Sequence, residues 1–250
     1  MLNRIELKQN AKAITRSARV SAYLFTLIYL LISAVLNGVS YYVNATDDMM
    51  LFMGGWYMDV GSYLPFVHAP FPTVAVIFSS VLVWLLARAL SAGWVLYHQG
   101  VRRGREMPYS TLFDGFGFIG KVILLNIVMG AFIFLWSLLL VIPGIIAAYR
   151  YRFALYNLCE NPEMGVMDAL RLSKAQTLGY KLDLFVLDLT FIGWGILCSL
   201  TMGILSIWIQ PYIQQTDLAY FDAIRAAKGM PGFGGDNPME DDTFHPDDRF

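Results

Sequence analysis

Arg88, Arg150, Arg152, Asp188 and Asp217 fall within long apolar segments rather than between them. An ionised group in hydrocarbon costs about 2.5 to 17 kcal/mol depending on how it is measured, and it marks a functional site by default. Guanidinium groups there can hold an anion, such as a lipid headgroup. Carboxylates there can carry a proton. The two together can also form an ion-paired core that fixes helix packing, and all three readings stay open on sequence.

Depth along a helix decides whether these groups can meet. At about 1.5 Å per residue, Asp188 sits roughly 9–10 Å above the cytoplasmic end of its segment, and Asp217 lies at a similar level. Arg88 is about 13–14 Å up and Arg152 about 15–18 Å, within reach of the long arginine side chain. With Arg150, one buried layer would then hold three cations and two acids, an excess of one positive charge.

The elements that must position these groups follow from composition. The 250 residues are 57% hydrophobic and 15% charged, with a mean hydropathy of +0.53. Soluble domains run at about 45–50% apolar and about 25% charged. Runs free of Asp, Glu, Lys and Arg cover Val20–Thr46, Val60–Ala87, Val122–Tyr149 and Leu189–Thr216. Each exceeds the roughly 20 residues that cross a bilayer core. A soluble enzyme, a disordered chain and a disulfide scaffold are excluded.

The Val122–Tyr149 run is too long for one crossing, and Pro143-Gly144 interrupts it with a turn signal. Thr201-Met202-Gly203 divides the last run in the same way. The expectation is an all-α, polytopic membrane helix bundle of about six transmembrane helices, arranged as three hairpins: 20–43, 73–97, 120–142, 145–159, 182–200 and 204–221. The outer loop 44–72 has no Lys or Arg and three acids, Asp47, Asp48 and Asp59. By the positive-inside rule it lies outside and both termini lie in the cytoplasm. A four-span chain would put Arg150, Arg152, Arg171, Lys174 and Lys181 outside, against that rule. The expected location is the plasma membrane.

Residues 1–19 form a cytoplasmic amphipathic helix in this reading. Arg4, Lys8, Lys12 and Arg16 recur every four residues, one stripe of a helix lying in the membrane interface. A second cytoplasmic helix is expected over 162–178, with Asn161 as N-cap before Pro162 and Glu163. Its Val166, Ala169, Leu170 and Ser173 would face the bilayer. The end, 222–250, reads as an acidic solvated tail.

Other motifs carry less. His68, His98 and His245 are isolated, so no metal site is predicted, and no cofactor is implied. Met50-Leu51-Phe52-Met53 offers thioethers for Cu(I), but an apolar loop on the membrane with Trp56 and Tyr57 as anchors explains it better. Gly115–Gly120 matches G-x-G-x-x-G without a preceding strand, so it is no nucleotide loop. Arg102, Arg103 and Arg105 read as a topology signal rather than a nucleic-acid site.

A series of short motifs carries a family resemblance. It runs from Ile142-Pro143-Gly144-Ile145 through Glu160-Asn161-Pro162, Ala169–Ser173, Leu184–Leu187 and Phe191–Trp194. Leu200–Ile204, Trp208, Pro211-Tyr212 and Ala219-Tyr220-Phe221 follow. The series resembles the DUF 975 family of bacterial integral membrane proteins, over about Leu2–Phe221 and most specifically from Pro143 onward. The resemblance implies a helical membrane domain with cytoplasmic ends and implies no reaction.

The functional expectation is a non-enzymatic membrane protein. Its charged layer, Arg88, Arg150, Arg152, Asp188 and Asp217, binds a lipid headgroup or small anion, in a transporter or transport accessory. Pro143, Gly144 and Gly203 serve as hinges. The alternative is a structural or regulatory scaffold docking partners through its cytoplasmic helices and tail. Membrane lipids are the expected partners, and a homo-oligomer or protein partner stays open.

Overall fold

A computed structural model of the chain describes residues 4–18, 20–44, 50–53, 56–59 and 73–230. Its helices are α1 (Arg4–Ser17), α2 (Ala22–Asn44), α3 (Thr73–Arg102), α4 (Ile119–Leu139), α5 (Val141–Arg150), α6 (Ala154–Glu160), α7 (Val166–Thr177), α8 (Lys181–Leu200) and α9 (Ser206–Ala227). A 3-10 segment, Tyr109–Phe118, precedes α4. Met50–Met53 (β1) pairs antiparallel with Trp56–Asp59 (β2), with Met50 opposite Asp59, where a loop is expected from the sequence. Ala45 and Thr46, most of the 44–72 loop, His68, His245 and the tail beyond Met230 lie outside the described residues.

Four helical stretches are long and apolar enough to cross a membrane: Ala22–Ser40, Val74–Arg102, Tyr109–Leu138 and Lys181–Leu200. α9 is long enough at 22 residues. Gln210, Gln214, Gln215, Asp217 and Asp222 keep its hydropathy down. α5, with 10 residues, spans only about 15 Å.

Burial is concentrated at one end of the molecule. Ala22 and Phe25 at the start of α2 pack with Trp94 and Tyr97 near the end of α3, and with Leu158, Leu218 and Phe221. The opposite ends are bare: Val35 and Val39 on α2, Val74 and Phe78 on α3, Leu138 on α4 and Leu200 on α8 are all exposed. Exposed Val, Leu and Phe on helices of this length are what lipid tails cover.

Three antiparallel returns meet at the packed end. The Tyr97 hydroxyl donates to the Val20 carbonyl at 2.9 Å, where α3 comes back to the start of α2. Lys121 donates to the Pro162 carbonyl at 2.5 Å, joining the start of α4 to the end of α6. Lys228 donates to the Leu178 carbonyl at 2.7 Å, bringing the end of α9 to the start of α8.

The breaks within the returns differ from expectation. The chain turns at Leu140 (φ −165°, ψ 151°), upstream of Pro143-Gly144. The proline is still the cause. In a continuous helix its ring would strike the Leu139 carbonyl, four residues back. In the first turn of α5 it costs nothing. The expected single helix 145–159 is likewise divided, into α5 and α6, at Tyr151–Phe153. α8 ends in a Schellman motif: Gly203 N–H donates to Cys198 O (2.8 Å) and Met202 N–H to Ser199 O (3.2 Å).

The two amphipathic helices both face protein. α7 begins at Val166, four residues beyond Pro162, and Asn161 forms a local turn by accepting from the Glu163 N–H at 3.1 Å. Its Val166, Ala169, Leu170 and Ser173 are buried in the core instead of facing the bilayer. α1 packs along α9 and beside α8, with Ala11 and Thr15 buried.

Candidate functional site

Arg152 sits in the three-residue break between α5 and α6, and Ser173 of α7 holds that break in place. The Ser173 hydroxyl donates to the Arg150 carbonyl (3.0 Å) and accepts from the Phe153 N–H (3.1 Å). Thr177 also donates to the Arg150 carbonyl, at 3.2 Å. The backbone groups freed where α5 stops are thereby satisfied, as buried polar groups must be.

From this break the Arg152 guanidinium reaches two helices. Nη1 donates to Asp188 Oδ2 at 2.6 Å and Nη2 to Asp188 Oδ1 at 2.8 Å, a bidentate pair with α8. Nη2 also donates to Asp217 of α9, at 2.9 and 3.0 Å to its two oxygens. The Tyr149 hydroxyl donates to Asp188 Oδ2 at 2.7 Å. Asp217 is the more enclosed carboxylate, its side chain 12% exposed against 37% for Asp188.

Arg88 and Arg150, expected in the same layer, bind elsewhere. Arg88 Nη1 donates to Asn126 Oδ1 at 3.5 Å. Arg150 lies over the Trp136 ring, 5.9 Å from its centroid. For Arg150 the physical reason is direction: it closes α5, whereas Arg152 lies in the non-helical break that follows, so the two side chains leave the backbone on different sides. The cluster therefore holds one guanidinium and two carboxylates. Its formal charge is −1, the reverse of the expected excess of one cation.

Pro143, Gly144 and Gly203 lie away from this cluster, at the opposite tips of the returns. Gly144 permits the α4–α5 approach, since a Cβ there would lie 2.1 Å from Ser137 Oγ. Gly203 adopts φ 86° beside Met202 at φ 51°.

A second ionic cluster escaped the sequence reading. Glu160, at the end of α6, accepts from both Arg103 and Arg225, with its side chain 3% exposed and that of Arg225 6% exposed. Arg102 pairs with Asp222. Burial raises the Glu160 carboxyl above its usual range, while Arg225 and Arg103 pull it back. The readable signal was α9 itself, where Asp222 and Arg225 follow Asp217 within a helix that has turned polar. Nearby, Gln215 donates to the His98 carbonyl at 2.9 Å, and Phe25, Trp94 and Tyr97 surround the His98 ring.

Chemically, the Arg152 cluster can hold three chain segments together, and its excess carboxylate can take up a proton. Its guanidinium nitrogens already face carboxylates, so it offers an anion little. No curated protein and no solved structure matches the chain. Residues 137–228, from the end of α4 through α9 and therefore including Arg152, Asp188 and Asp217, are similar to the family described as protein of unknown function (DUF975).

Proposed function

We propose that the chain is a non-enzymatic, multi-span scaffold of the plasma membrane, with Arg152 as the ionic clamp that joins the α5–α6 break to α8 and α9. One observation carries this reading: both terminal nitrogens of Arg152 are engaged by carboxylates from two different helices. An anionic substrate would have to displace one of them, against a site of net negative charge. In this reading the three returns give six crossings. The packed end, which gathers Arg4, Arg102, Arg103, Lys121, Arg225 and Lys228, faces the cytoplasm by the positive-inside rule.

The test is a comparison of Arg152→Ala with the triple variant Arg152→Met/Asp188→Leu/Asp217→Leu. A clamp predicts loss of folded protein in the first and substantial recovery in the second, because matched apolar groups replace a buried ionic set at little cost. A second reading, proton carriage, is favoured by the surplus carboxylate. In proteoliposomes it predicts a proton flux that Asp217→Asn abolishes without altering fold. Flux absent from the wild type removes that reading and leaves the clamp.

A further inference from the structure

The basic stripe of α1 divides into two halves with different fates. Arg4 donates to Asp183 at 2.9 Å, and Lys8 donates to Thr190 at 2.7 Å with its ammonium 4.8 Å from the Phe191 ring. These two tie α1 to α8. Lys12 and Arg16, one and two turns further on, are exposed and have no ion pair among the described residues. They open onto a cavity of about 250 Å3 between α1, the start of α2, α8 and α9. Tyr23, Trp194, Trp208 and Tyr212 line the same cavity, and no acid does.

This combination has a specific chemistry. Two uncompensated cations attract a phosphate, and an arginine can bind it through paired N–H groups. Tryptophan and tyrosine, apolar in body and polar at one tip, settle at the level of lipid headgroups. Trp194 and Trp208 are 40% and 51% exposed. Leu197, one turn beyond Trp194 on α8, is exposed as well, an apolar neighbour suited to an acyl chain. A soluble anion would use the charges and leave the aromatic rim without purpose.

From this we infer that the cavity is a binding site for a phospholipid of net negative headgroup, its phosphate held by Lys12 and Arg16 and its glycerol end against Trp194 and Trp208. The inference rests on membrane insertion but not on the clamp. It also gives α1 a role beyond packing, as half of a lipid-reading surface.

The test uses the purified full chain in neutral detergent, with native mass spectrometry comparing phosphatidylglycerol and phosphatidylcholine of equal chain length. Basic residues near an anionic lipid surface contribute about 1 kcal/mol each, so two predict a preference for phosphatidylglycerol of about tenfold or more. Lys12→Ala/Arg16→Ala is expected to abolish the preference at an unchanged Tm. A wild-type chain without preference, or a folded variant that keeps it, overturns the site. If that variant fails to fold, Trp208→Ala replaces it, and undiminished lipid retention then overturns the site. Excess inorganic phosphate should leave the lipid bound, and displacement would assign the cavity to a soluble anion instead. Flotation with phosphatidylcholine vesicles reads membrane insertion separately, so a chain that floats without lipid preference fails this inference alone.

Discussion

Asn157 of α6 and Gln176 of α7 exchange hydrogen bonds in both directions, at 3.0 and 2.9 Å, and neither side chain is exposed. Each amide is the other's partner, so the pair fixes the angle at which α7 lies against α6. Leaving one amide alone in that setting costs its full desolvation, about 1–3 kcal/mol. Asn157→Ala should therefore lower stability by about that amount. Asn157→Leu/Gln176→Leu should cost less than the single change, provided the larger side chains pack. Denaturant unfolding in detergent measures both. Equal stability of wild type and Asn157→Ala would show that the exchange contributes nothing.

The Arg152 cluster predicts an ordered series. Removing the cation leaves two carboxylates facing one another, and breaking a buried pair costs about 3–5 kcal/mol. Removing either acid leaves a neutral pair. Arg152→Ala should therefore be clearly worse than Asp217→Asn or Asp188→Asn, each of which should cost about 1 kcal/mol or less. Folded yield and Tm provide the ranking. An Asp217→Asn protein as damaged as Arg152→Ala would contradict the charge count on which the clamp depends.

That count shows where the sequence was legible. The apolar runs mark the four long helices, because the bilayer's thickness acts on composition directly. The meeting of Arg152, Asp188 and Asp217 follows from the similar depth of the two acids and the reach of the arginine side chain. The exclusion of Arg88 and Arg150 did not follow, because depth says nothing about which way a side chain leaves its helix. The break at Leu140 was misplaced because a proline acts on the carbonyl four residues before it. The burial of α7 was missed because an apolar face fits a protein core as well as a bilayer.

The 3-10 segment depends on one glycine of α3. A Cβ at Gly93 would stand 2.0 Å from the Leu112 carbonyl oxygen, which is backbone and cannot swing aside. Gly93→Ala should cost about 1–3 kcal/mol through overpacking. Gly38 of α2, with nothing within 4 Å of its Cβ position, is the matched control and should tolerate alanine. Thermal unfolding of the two variants side by side decides the matter. Equal Tm values would mean that the segment yields freely.

At the α8–α9 turn, Met202 holds φ 51° at the position where a Schellman motif favours glycine, and it is 93% exposed. A left-handed residue with a Cβ costs about 1–2 kcal/mol. Met202→Gly should recover about 1 kcal/mol, since no buried contact is lost. A fall in Tm would show that the methionine has a use that its exposure conceals.

The pairing of α9 with earlier helices sets the order in which the protein can mature. Arg102 waits for Asp222, Glu160 for Arg225 and Arg152 for Asp217, and all three partners lie in α9, made after every other described helix. Until α9 emerges, each earlier hairpin carries a charge without its full complement. Quality control at the membrane could therefore read one late event, the docking of α9, as the sign that these three ionic sites are complete. A ribosome stalled between α8 and α9 would leave a product that is inserted, hydrophobic and recognisably unfinished.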